Sequence, residues 1–88
     1  MARQVLLDVS DMEPPDPLVM ATEAVSQLQP GEYLCLRHRR DPCLLYEQLQ
    51  QSGFGFRQRQ GSVTAVELLV WRVGDTEAEA AVVAEFDE

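Results

Sequence analysis

Residues 3–18 read Arg-Gln-Val-Leu-Leu-Asp-Val-Ser-Asp-Met-Glu-Pro-Pro-Asp-Pro-Leu. In residues 3–9, Val5, Leu7 and Val9 recur at every second position, the spacing of one strand face. Glu13-Pro14-Pro15-Asp16-Pro17 is too stiff to extend a strand and reads as a turn. Asp16 is suited to cap a helix whose first residue is Pro17, because the first helical position needs no N–H. That helix is expected to run to about Leu28, with Leu18, Ala21, Ala24, Val25 and Leu28 at core spacing and Pro30-Gly31 ending it. A strand, a helix and then a second strand predict a right-handed crossover, with the two strands parallel.

The second strand is Glu32 to His38, with Leu34 and Leu36 on one face and Tyr33, Cys35 and Arg37 on the other. Asp41-Pro42 repeats the Asp-Pro start and opens a second helix, with Leu45 and Leu49 inward and Gly53 as its stop. Phe54–Gln60 and Thr64–Val73 read as two strands. Gly61-Ser62 between them suits a tight hairpin, with glycine supplying a positive φ. The expected fold is an α/β two-layer sandwich (α+β) in the order β-α-β-α-β-β. Its four-stranded mixed sheet carries two helices on one face and is open on the other. Residues 1–73 make the domain, and residues 74–88 form an acidic C-terminal tail.

Eighty-eight residues allow one modest core. An apolar share of 45% is ordinary for a globular chain. No apolar run approaches the roughly 20 residues of a membrane span, and residues 1–8 lack the apolar stretch of a signal peptide. The expected setting is the cytoplasm, with Cys35 and Cys43 as thiols and no membrane partner. The formal charge is −8, but six of the fifteen acids lie in residues 75–88, which leaves residues 1–74 near neutral. An acidic chain does not supply the positive field that phosphates need, so no nucleic-acid partner is expected. There is no lysine, which excludes lysine Schiff-base chemistry and any phosphate loop built on lysine.

A strand, a turn of the form Gly-Leu-x-Cys-Pro-x-Pro and a helix mark the TusA/SirA-like sulfur carriers, which the chain resembles over about residues 5–73. Pro15 and Pro17 match the two family prolines, and Pro14 stands where the persulfide-bearing cysteine would be. The closer resemblance is to a neighbouring uncharacterised bacterial family with a Glu-Pro-Pro-x-Pro-Leu turn. Glu13 to Leu18, Asp41-Pro42 with Leu45-Tyr46, and Trp71-Arg72 are similar to its features. The resemblance implies a sheet of order 1-2-4-3 with two helices on one side. It implies no sulfur chemistry, since proline has no nucleophile. Relatives often accompany hemerythrin-like iron domains, an association that points to a redox or nitrogen-oxide setting.

Cys43 is the candidate reactive thiol. It falls in the first turn of the second helix near Arg39 and Arg40, where the dipole and charge favour thiolate. The plainer reading is a half-buried helix residue without reactivity. Cys35, His38, Asp41 and Cys43 resemble a zinc string, but residues 35 and 38 point to opposite faces of one strand, so no metal is expected. A Cys-His hydrolase would need a third orienting group and a deep pocket, and Glu13 and Asp16 lie on the turn. Neither enzymatic activity nor a cofactor is expected.

The candidate binding face is the open side of the sheet: Tyr33, Cys35, Arg37, Arg57, Arg59, Leu69 and Trp71, with Leu6 beside them. This mixture of aromatic side chains and arginines is typical of interaction surfaces. It predicts a protein partner or self-association. The rival is a sulfur-transfer or redox accessory role through Cys43. Residues 74–88 read as a loose acidic extension or as a short helix docked on that face, and the extension is the expected state, because short helices are marginal in water. By charge, the tail is expected to screen Arg37, Arg57 and Arg59, and its removal to leave the fold intact.

Overall fold

A computed structural model describes residues 2–13, 15–61 and 64–86. Pro14 of the turn motif, Ser62 of the expected hairpin turn, and Asp87 and Glu88 of the tail lie outside the described residues. The chain forms β1 (Arg3–Asp8), α1 (Asp16–Ser26), β2 (Glu32–His38), α2 (Cys43–Gln51), β3 (Phe54–Gln60), β4 (Val66–Arg72) and α3 (Thr76–Phe86). These make an α+β fold with a four-stranded mixed sheet in the order β1-β2-β4-β3. β1 runs parallel to β2, whereas β4 is antiparallel to both β2 and β3. No helix among the described residues is long and apolar enough to cross a membrane.

Alternation along the strands divides the apolar residues into two clusters. Leu34, Leu36, Leu68 and Val70 pack with Ala21, Val25 and Leu28 of the α1 region and with Leu45 and Leu49 of α2. Val5, Leu7, Phe54 and Phe56 lie at the margin of this cluster. Tyr33, Cys35, Leu69 and Trp71 point the opposite way and pack with Ala78 and Val82 of α3. The sheet is therefore covered on both sides. The two-layer expectation fails here because residues 76–86 are helical and docked. Asp75 caps α3 by accepting the Ala78 N–H at 3.1 Å, and its other carboxylate oxygen accepts the Gly31 N–H at 2.7 Å. Packing against the sheet supplies what an isolated helix of this length lacks.

The helix starts also differ from expectation. Pro15 and Pro42 occupy the capping positions, and neither start has a side-chain cap. The Asp16 N–H donates to the Glu13 carbonyl at 3.0 Å, so the turn is already closed and Asp16 enters the first helical turn. There its carboxylate still benefits from the N-terminal dipole. At the second start, the Cys43 N–H donates to the Asp41 carbonyl at 2.9 Å. Gly31 and Gly53 have φ near +82° and +83°, which lets the chain reverse after α1 and α2 at little steric cost.

The β3–β4 connection is not a two-residue turn. It spans residues 61–65, and the Gly61 N–H donates to the Ala65 carbonyl at 3.3 Å. Gly61 is not in the left-handed region. What it provides is space, since a Cβ there would lie 2.2 Å from the Thr64 carbonyl oxygen.

Candidate functional site

The sheet face expected to be open is mostly closed. Cys35 and Leu69 are about 1% and 0% exposed, and Tyr33 and Trp71 are 8% and 9% exposed. Polar groups of α3 meet this face one by one. The Trp71 Nε1–H donates to Glu79 Oε1 at 3.2 Å, and the Tyr33 hydroxyl donates to the Glu85 carboxylate. Burial and that carboxylate together push the Tyr33 phenol up to about 12. Gly55 leaves room for the indole: a Cβ at this position would lie 2.6 Å from Trp71 Cε2 and Cζ2. Burial also pushes the Cys35 thiol up, and nearby Glu67 adds to the effect. Cys35 is thus a core residue without the character of a nucleophile.

The three arginines of this face have separate fates. Arg37 Nε and Arg59 Nε donate to the two oxygens of Glu67, at 3.2 and 2.9 Å. Arg59 also reaches Glu85 at 3.2 Å, and Arg57 lies over the Phe86 ring at 4.2 Å from its centroid. Screening by the tail is therefore carried by Glu85 and Phe86, while Arg37 is neutralised within the sheet. Glu67, only 5% exposed, is a residue that pattern reading overlooks although its parity matches that of Leu69 and Trp71. A carboxylate held by two guanidinium groups satisfies the condition for burying charge.

On the other side of the sheet, the starts of α1 and α2 converge on a cleft of about 310 Å³. Pro15, Pro17 and Leu18 form one wall, while Pro42, Leu44 and Leu45 form the other. His38, Arg40, Asp41 and Cys43 complete the lining. The prolines place rigid apolar rings at both helix starts, where a capping side chain would otherwise be polar. Leu44, 73% exposed, extends the apolar surface at the mouth of the cleft. Cys43 is exposed as the first residue of α2.

His38 Nδ1 accepts the Arg40 N–H at 3.0 Å, which leaves the other ring nitrogen to carry the proton of the neutral form. Partial burial, followed by the charges of Arg39 and Arg40, pushes the imidazole below its ordinary value. Arg39 pairs with Glu13 at 3.0 Å, whereas Arg40 makes no ion pair among the described residues. The zinc-like string is dispersed: Cys35 faces α3, and His38, Asp41 and Cys43 line the cleft. Among the described residues, no group of three His, Cys, Asp or Glu side chains is placed to hold a metal ion. Of the turn motif, Pro15 and Pro17 line the cleft, and Glu13 holds Arg39 near its rim.

Trp71-Arg72, the third feature of the resemblance, serves both sides of the sheet. Trp71 packs beneath α3, and Arg72 donates through Nη1 to the Leu28 carbonyl at 2.7 Å, just beyond α1. A cation at that end complements the helix dipole. A family model described as "Uncharacterized conserved protein (DUF2249)" matches residues 6–72. Neither the curated proteins nor the solved structures contain a match.

Proposed function

Since the chain belongs to the family of uncharacterized conserved proteins DUF2249, whose description assigns no activity, we propose a role from its geometry: a non-enzymatic binding module in the cytoplasm. The binding surface is the cleft between the two proline-led helix starts, in place of the sheet face that α3 covers. The observation that carries this reading is the apolar cavity itself, rimmed by the exposed Leu44 and by an Arg40 without an ion pair among the described residues. An apolar wall with one available guanidinium suits a peptide that inserts an aliphatic or aromatic side chain next to an acidic one. The partner is therefore a protein segment of that chemistry. Kinship with the TusA/SirA-like carriers belongs to this proposal and is supported by the sheet order and by Pro15 and Pro17 at the site.

The test is a titration of isotopically labelled protein with short peptides carrying leucine or phenylalanine beside aspartate. Saturable shifts confined to residues 15–18 and 38–45, weakened about tenfold by Arg40→Glu, are expected, a change equivalent to about 1.4 kcal/mol. Shifts that fall on α3, or none at all, would reject the cleft.

A second reading has one observation in its favour: the Cys43 thiol is exposed in the same cleft as the motif prolines. In a sulfur-accessory role, the Cys43 thiolate would attack the terminal sulfur of a donor persulfide, forming a Cys43 persulfide and releasing the donor thiol. Intact mass after incubation with a cysteine desulfurase and cysteine separates the readings. An unmodified chain supports the binding module, and one added sulfur on Cys43 supports the rival.

A further inference from the structure

β1 is an edge strand, and among the described residues no strand lies beyond it. The Arg3 N–H donates to Gly31 and the Val9 N–H to Arg37, both inward to the β2 side. In a parallel ladder, successive residues direct their backbone groups to opposite sides. The N–H and C=O groups of Gln4, Leu6 and Asp8 therefore face outward. The strand Arg-Gln-Val-Leu-Leu-Asp contains no proline, lysine or bulge, its charges Arg3 and Asp8 stand at its two ends, and Leu6 at its middle is 52% exposed.

We propose that the β1 edge is a self-association surface on which a second copy of this chain pairs antiparallel, forming a continuous eight-stranded sheet. The outward groups restrict the register to pairs of even-numbered residues, and the fit of the side chains selects the one centred on Leu6. A two-fold axis normal to the sheet keeps like faces together, and only even-numbered residues present free backbone groups. Leu6 then lies opposite Leu6 of the other copy, and Gln4 opposite Asp8 of the other copy, twice by symmetry. The leucines cover each other, and each amide can donate to a carboxylate. α3 rests mainly on β2 and β4, and it reaches β1 through the Tyr33 hydroxyl, which lies 3.4 Å from Gln4 Oε1. The other edge does not offer the same fit. β3 carries Arg57 and Arg59, which would place like charges against each other in a symmetric pair. The contact is small, so association is weak.

Sedimentation of the full-length chain between about 10 µM and about 1 mM tests the proposal, over a range suited to a small interface. The apparent mass is expected to rise from 9.9 kDa toward twice that value. Leu6→Lys should abolish the rise, and Gln4→Lys, which sets an ammonium against Asp8, should tighten association about threefold to tenfold. Leu6→Cys in a Cys35→Ala, Cys43→Ser background, which removes the thiol beside position 6 on β2, should form a disulfide-linked dimer under mild oxidation, as directly paired residues allow. A chain that stays monomeric at the highest concentration overturns the proposal. So does a dimer that is indifferent to Gln4→Lys and fails to cross-link at position 6. Gln4→Lys and the cross-link remain decisive even if Leu6→Lys fails to fold. This surface is separate from the cleft, and the outcome does not depend on peptide binding.

Discussion

The two faces of the sheet are closed by different means. Toward α1 and α2, branched aliphatic side chains interlock: Leu34, Leu36, Leu68 and Val70 against Ala21, Val25, Leu45 and Leu49. Toward α3, only two helix residues, Ala78 and Val82, are fully buried. The remainder of that contact comes from partly buried Ala81 and Phe86 and from tips of polar groups: an indole N–H, a phenol, a guanidinium and a capping carboxylate. The first face depends on apolar area and the second on a set of addressable polar contacts added to a thin apolar layer. Of the two, α3 should therefore respond more to pH and salt.

Removing residues 75–88 is the most severe way to break this comparison. It exposes Tyr33, Cys35, Leu69 and Trp71 together. Each large side chain returned to water costs roughly 1.5–3 kcal/mol, and a chain of this size has only about 4–13 kcal/mol of stability in all. The truncated chain is expected to lose cooperative unfolding or to aggregate, with red-shifted Trp71 emission. A truncated form that melts like the full chain would show that α3 is merely an appendage.

Gly55→Ala is a milder perturbation confined to the α3 side. A Cβ 2.6 Å from the indole must displace Trp71, and overpacking of this kind costs typically about 1–3 kcal/mol. The expected result is a lowered denaturant midpoint and altered near-UV signal from Trp71. Unchanged values for both would mean that the indole is free to move and that this layer is loosely packed.

The smallest effect belongs to Asp75→Ala, which removes the α3 cap and its tie to Gly31 and lowers the unfolding midpoint slightly. The Gly31 N–H, then the Ala78 N–H, hold the Asp75 carboxyl below the ordinary aspartate range. A depressed folded-state pKa means that the stabilisation is complete above the unfolded value, about 3.9, and is lost as pH falls from there through the folded value. Backbone amide exchange should show α3 loosening before α1 and α2 below about pH 4 in the native chain, with Asp75→Ala less sensitive to acid. Uniform loosening of all three helices would contradict the distinction between the faces.

Strand parity was legible in the sequence because a period of two is imposed by backbone geometry, and β2 and β3 have the boundaries that pattern predicts. The third helix was obscured by its charge. Six acids in residues 75–88 suggest a solvated tail, yet Ala78 and Val82 are four apart and Asp75 stands where a cap belongs. The cleft was less visible still. It joins residues 15–18 with residues 38–45, and no single-segment periodicity reports which two turns meet in space. Pro15 and Pro17 signal a rigid turn, but what that turn faces is a matter of tertiary structure.

The adjacent pair Trp71-Arg72 also constrains how such a chain can drift. One residue inserted or lost within β4 ahead of the pair would turn the guanidinium toward Ala78 and the indole toward the carbonyls beyond α1, reversing both partners at once. A length change ahead of the pair therefore has to fall outside the β3–β4 ladder, which ends at Gln60 and Val66. Substitutions can accumulate singly along β4, whereas its reading frame relative to the sheet must be inherited whole.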